Sequence, residues 1–155
     1  MHRLASLSLF LVLVVIATAV GGQFTGGEWY QVMLQPSWSP PALVMASVWA
    51  LAYLLMAVAA WLVWDTKRGL ARVALSWWGL QLLLGIGWSW AYFGQHRLGW
   101  ALVVLAAWVL AVLVVIRTFR SVNPAASRMV GPVALWLLFC WVLGFVQWRL
   151  NGGGI

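Results

Sequence analysis

Carboxylates are almost missing from this chain. Among its 155 residues only Glu28 and Asp65 are acidic, and charged residues of both signs make up 7%. Both acids fall outside the apolar runs. Paired-carboxylate catalysis therefore has nothing to work with, and neither has ion-coupled pumping, which sets ionisable groups inside the membrane. Histidine is limited to His2 and His96, and cysteine to Cys140. That excludes an intrachain disulfide and any metal cluster built from the usual ligands. No glycine loop with its lysine is present to cradle a phosphate. A soluble domain carries about 25% charged residues. This chain is 65% hydrophobic and cannot cover its surface with polar groups, so a lipid bilayer must cover it.

What is present is apolar sequence in runs long enough to cross a bilayer. The expected fold is all-α: a single polytopic membrane domain over residues 1–155, built as a five-transmembrane-helix bundle. The helices fall at about residues 4–20, 42–64, 73–93, 98–116 and 131–150, with a long loop over 21–41. The first run ends in Ala17-Thr18-Ala19 and so also resembles a signal peptide with a cleavage site. Gly21-Gly22 and the loop beyond favour a retained helix. In that loop Gly26-Gly27 is a turn signal. Residues 28–34 fit about two helical turns, pairing Trp29 with Met33 and Tyr30 with Leu34. Pro36-Ser37-Trp38-Ser39-Pro40-Pro41 then stiffens the backbone, with Ser39 as the expected N-cap of the second helix. Residues 65–69 read as a charged stop, 94–97 as a tight turn, and 117–129 as a basic loop. The last helix is expected to start near Gly131-Pro132.

The formal net charge is +7. All the basic residues except Arg97 and Arg149 fall near the N-terminus or after the second and fourth helices. Such a bias is a topology signal rather than a nucleic-acid surface. It places the N-terminus in the cytoplasm, with the long loop and the C-terminus facing outward; which membrane is involved is not encoded in it.

Fourteen tryptophans exceed what two interfacial belts need, and Trp49, Trp88, Trp108 and Trp136 fall inside apolar runs. Helical rotation of about 100° per residue puts i, i+4, i+7 and i+11 on one face. That aligns Trp49, Tyr53, Met56 and Ala60 on the second helix, and Gln81, Gly85, Trp88 and Tyr92 on the third. On the fifth it aligns Trp136, Cys140, Leu143 and Gln147. Turned inward, the three stripes would line a cavity for a flat, mostly apolar ligand under the loop. Periodicity alone fits side-chain packing as well. Gln81 and Gln147 could equally be interhelical hydrogen-bond glue, and Gly87 with Ala91 forms a small-xxx-small pair suited to self-association.

The residues Trp29-Tyr30, Leu34, Pro36-Ser37-Trp38, Pro40-Pro41, Val48-Trp49, Tyr53 and Leu62-Val63-Trp64 resemble the tryptophan-rich TspO/translocator protein family. So do Gln81-Leu82, Trp88, Phe93-Gly94, Gly99-Trp100-Ala101-Leu102, Pro132, Trp136 and Leu150-Asn151. The resemblance implies a five-helix bundle, commonly a homodimer, that binds tetrapyrroles such as protoporphyrin IX or a heme-like ring as ligand, with no cofactor required. It implies pocket positions at Ala46, Trp49, Tyr53, Trp88, Trp136 and Leu143, under a cover bearing Trp29, Tyr30 and Trp38. With the face reading, Gln81, Gly85 and Cys140 join that site. The function implied is sensing, sequestration or trafficking of the ligand. The alternatives are light-dependent oxidative breakdown of bound porphyrin, with Trp49 and Trp136 as candidate catalytic residues, and passive carriage of the ligand across the bilayer. Gly85 and Gly144 replace asparagines usual in the family, and Val133 replaces a tyrosine, which predicts a roomier and more apolar pocket. Trp90 stands where a proline is usual, which predicts a straighter third helix. Phe145 and Val146 occupy the region of the sterol-recognition tyrosine, so the resemblance does not extend to sterol binding.

Overall fold

The computed structural model describes residues 2–24, 27–66 and 69–153. Gly26, Lys67 and Arg68 lie outside the described residues, as do the side chains of His2 and Arg3. Among the described residues every regular element is helical: α1 (His2–Gly21), α2 (Gly27–Val32), α3 (Ala42–Asp65), α4 (Ala71–Ser89), a π-helical turn (Trp90–Gly94), α5 (Leu98–Val122) and α6 (Pro124–Leu150). Helices α1, α3, α5 and α6 are each long and apolar enough to cross a membrane. The expected count of five is thus met by four on length and composition. The third expected span, α4, carries Arg72, Ser76, Gln81 and three glycines in 19 residues, which lowers its hydropathy.

The long helices close a ring in the order α1, α3, α6, α5, α4 and back to α1, and α3 also touches α4 across it. Leu9, Ile16, Leu54, Leu83, Leu110 and Leu135 point outward and stay exposed, as expected of side chains solvated by lipid. Helix α1 is built into the bundle: Phe10 is buried and meets Trp64 and Trp78 edge-on. At the end away from α2, Ala57, Ala59 and Ala60 of α3 and Val112, Val115 and Phe119 of α5 belong to one core, all at 0% exposure. Small side chains on α3 let its neighbours α1 and α6 approach closely. Two tryptophans brace the ring through their N–H groups. Trp78 donates to the Met56 carbonyl at 3.0 Å, and Trp141 donates to the Leu102 carbonyl at 3.3 Å.

The expected basic loop over 117–129 is instead helical. Helix α5 runs on to Val122, and α6 begins at Pro124 with only Asn123 between them. Asn123 is extended, and its side chain accepts from the Ala125 and Ala126 N–H groups at 3.0 and 3.3 Å. Pro124 follows at the first helical position, where a missing N–H removes no helical bond. One residue therefore ends one helix and caps the next. The side chains of Arg117, Arg120 and Arg128 are exposed and break neither helix. They lie, with Arg72, at the end opposite α2.

Two further expectations are corrected, and one small-residue pair packs within the chain. Ser39 does not cap α3; Pro41 occupies that position without a side-chain cap, and the Ser39 hydroxyl donates to Gln35 Oε1 at 3.3 Å. The third helix does not run on as α-helix to residue 93, because the π-turn takes over at Trp90. The Gly87–Ala91 pair packs within the chain: Ala91 is 3% exposed, and a side chain at Gly87 would meet Val104 of α5.

Candidate ligand cleft

Residues 27–41 fold over one end of the ring. The two turns expected near residue 28 appear as α2, and the Met33 N–H donates to the Trp29 carbonyl at 3.2 Å. Trp29 stacks on His96 with centroids 4.4 Å apart and an interplanar angle of 16°. His96 adopts φ 55° just before α5. The later part of the loop is tied to α6. The Leu34 N–H donates to Asn151 Oδ1 at 3.0 Å, and Asn151 Nδ2 donates back to the Leu34 carbonyl at 3.0 Å. Gln147 Nε2 donates to Gln35 Oε1 at 2.6 Å, and the Tyr92 hydroxyl donates to Gln147 Oε1 at 2.7 Å. A buried amide is tolerated when both of its ends find partners, and Gln147, at 3% exposure, meets that condition.

Beneath this lid lies a cleft of about 620 Å³, within the ~300–1,000 Å³ typical of small-molecule sites. Met45, Trp49 and Tyr53 form its α3 wall, and Trp88 and Ser89 of α4 with Phe93 of the π-turn form the opposite wall. Tyr30, Gln31 and Gln35 come from the lid. The π-turn has one residue more than an α-turn, and here it sends Tyr92 into the core while Phe93 reaches the cleft. The end of α1 closes the remaining side with Thr18, Gly21 and Gly22. A side chain at Gly21 would meet Ser89 Oγ at 3.1 Å, so the small residue lets α1 approach α4. Among the described residues no charged side chain lines the cleft. Its chemistry suits a flat apolar occupant with a few acceptors or donors toward the lid.

Of the residues predicted for the site, Tyr30, Trp49, Tyr53 and Trp88 line this cleft. Cys140 and Leu143 line a separate, smaller cavity of about 40 Å³, which Tyr30 and Trp88 also border. Trp29 is turned to His96, and Trp38 is 47% exposed with its ring edge-on to Phe139. Ala46 is exposed on α3 and lines neither cavity. Trp136 lies behind Trp49, edge-on at 6.1 Å, stacked on Phe139, and its Nε1–H is buried without a partner. The contribution of α1 has no signal in the sequence, because its mainly aliphatic run shows no aromatic stripe.

Gly85 and Gln81 do not line either cavity. A Cβ on Gly85 would sit 2.8 Å from two ring carbons of Trp108, and Gln81 Oε1 accepts the Trp108 N–H at 2.9 Å. The roomier pocket expected from glycine at position 85 is therefore not formed there. The indole of Trp108, itself stacked on Trp49 at 5.5 Å, takes up the space.

Lipid-facing helices around a lidded aromatic cleft define a multi-pass integral membrane protein with a small-molecule-sized site. The chain belongs to the TspO/MBR family, whose model matches residues 9–149. It is 34% identical over 153 residues to a protein named CrtK from Rhodobacter capsulatus, covering 96% of each chain. It is 36% identical over 140 residues to the human translocator protein, covering 86% of this chain and 83% of that one. A tryptophan-rich sensory protein from Cereibacter sphaeroides is 29% identical over 147 residues, covering 93% of this chain and 92% of its own.

Proposed function

We propose that this protein binds a porphyrin-type tetrapyrrole, such as protoporphyrin IX, in the cleft under the lid, for sensing, sequestration or trafficking. The observation that carries the reading is the uncharged 620 Å³ cleft walled by Trp49, Tyr53, Trp88 and Phe93. Flat rings stack well on such a wall, each aromatic pair contributing ~0.5–1.5 kcal/mol beyond area burial. Gln31, Gln35 and Ser39 supply hydrogen-bonding groups at the lid side, where the polar edge of the ligand would lie. In the same proposal α4 and its π-turn cross the membrane as a fifth span. The lid and C-terminus face outward, and the arginines at the far end face the cytoplasm. A homodimer belongs to the proposal too, held by a face other than Gly87–Ala91.

The test is a titration of the detergent-solubilised protein with protoporphyrin IX, followed by tryptophan fluorescence. Saturable quenching is expected, with affinity reduced about tenfold or more in Trp49→Ala. Trp136→Ala should have a smaller effect, since its ring stands one layer back. No saturable quenching in the unsubstituted protein sinks the reading.

One arrangement favours a second reading, photosensitised oxidative breakdown of the bound ring by dioxygen. Trp49 walls the cleft and Trp136 is in edge contact behind it, placing two electron-rich rings in series. Illumination of the complex in air should then bleach the porphyrin band, and bleaching at the same rate in Trp49→Phe would leave binding as the sole function.

A further inference from the structure

Trp108 is 2% exposed and is held on three sides. One face of its indole stacks on Trp49 at 5.5 Å and 18°. Its N–H donates to Gln81 Oε1 at 2.9 Å. Its outer edge lies against Gly85, where a Cβ would come within 2.8 Å of Cη2 and Cζ2. The Trp88 ring lies 6.3 Å away, tilted by 47°. Trp108 therefore backs two of the rings that face the cleft without facing it itself. Gly85 makes the space, Gln81 fixes the ring in that space, and Trp49 is pressed from behind.

We propose that Trp108 is a specificity-determining positioning residue. It fixes the planes of Trp49 and Trp88 and closes the cleft toward α5, so that a planar macrocycle is accepted and a twisted tetrapyrrole is rejected. The inference rests on the tetrapyrrole reading given above. Its physical basis is that a close-packed interior yields little. A ligand bent out of plane needs Trp49 to recede, and Trp108, stacked on Trp49 and lying against Gly85, stands in that path. Forcing extra volume against such a site weakens binding by about tenfold or more.

The experiment compares protoporphyrin IX, a closed planar ring, with biliverdin, an open-chain tetrapyrrole that coils out of plane. Affinities are read from ligand absorbance, so that removing a tryptophan does not alter the signal. The unsubstituted protein is expected to favour the planar ring by about tenfold or more. Trp108→Leu should bring that preference close to parity, mainly by tighter binding of the open chain. Gly85→Ala approaches the same contact from the other side. Its added methyl drives the Trp108 ring toward Trp49, weakening the planar ring by about threefold or more with little change in the rest of the fold. It also keeps the proposal testable should Trp108→Leu fail to fold. No preference in the unsubstituted protein, or a preference unchanged in the folded variants, overturns the inference while leaving tetrapyrrole binding intact. Failure of the unsubstituted protein to bind either ring overturns the functional reading and this inference together.

Discussion

The two ends of the same helices are packed with side chains of opposite kinds. Toward the Asn123 corner, α3 offers Ala57, Ala59, Ala60 and Val63, which share one core with Val112, Val115, Phe119 and Val130, all at 0% exposure. Two turns nearer the lid the same helix offers Trp49 and Tyr53, and the helices stand around a 620 Å³ cleft. Small and branched side chains interdigitate until the backbones are close. Large rigid rings meet one another at centroid distances of 5.5–6.1 Å around Trp49 and prop the elements apart. The closures differ as well. The corner end is sealed by an N-cap within the helices, whereas the lid end is sealed by side-chain amides that can part without unfolding the bundle. One end is a frame and the other a site, and local stability is expected to differ accordingly.

The most severe way to break that division is Phe119→Ala. The side chain is fully buried in the frame, and its truncation leaves a cavity costing about 3–5 kcal/mol. Thermal unfolding in detergent should show a marked loss of stability, while porphyrin affinity, measured where the variant is still folded, stays near that of the unsubstituted protein. If Phe119→Ala weakens the ligand as much as Trp49→Ala does, the two ends are coupled and the division fails.

Hydrophobic periodicity is enough to locate the long helices and to put Trp49, Tyr53 and Trp88 on inward-turned stripes, whereas Tyr30 enters only through the family resemblance. It could not show which residue lies across from a given face. Gly85 shares a stripe with Gln81 and Trp88, but the ring that fills its gap comes from α5, where Trp108 sits in an aliphatic run with no pattern to mark its partner. Charge marks the wrong boundary at the corner. Arg117, Arg120 and Arg128 suggest a loop, yet long cationic side chains reach the polar boundary from a continuous helix. The true boundary signal was Asn-Pro, a cap and a first helical residue in sequence, which needs no loop around it. Ser39 failed for a related reason. Its hydroxyl competes for a local partner in the lid, and Gln35 provides one.

Asn123→Ala should have a moderate effect, confined to the frame. The substitution removes the acceptor for the Ala125 and Ala126 N–H groups and a 3.4 Å bond from Asn123 Nδ2 to the Leu62 carbonyl. A lost N-cap costs about 1–2 kcal/mol. Denaturant unfolding should register that loss, and the ligand's release rate should not change. Faster release would mean that the corner helps hold the lid end in shape.

The smallest effect on global stability, and the most informative for the site, is expected from Asn151→Ala. Asn151 pairs with both the N–H and the carbonyl of Leu34, clasping the lid to the end of α6. These bonds are exposed, so water replaces them readily and the bundle's unfolding midpoint should scarcely move. The lid is another matter, because that clasp and the Gln35–Gln147 bond tie its later half to α6. Losing about 1 kcal/mol of closure corresponds to about fivefold faster ligand release, with association changed less. Stopped-flow displacement of bound protoporphyrin IX measures this directly. Unchanged release with an intact fold would mean that the lid does not gate the cleft, and that the two ends differ in packing alone.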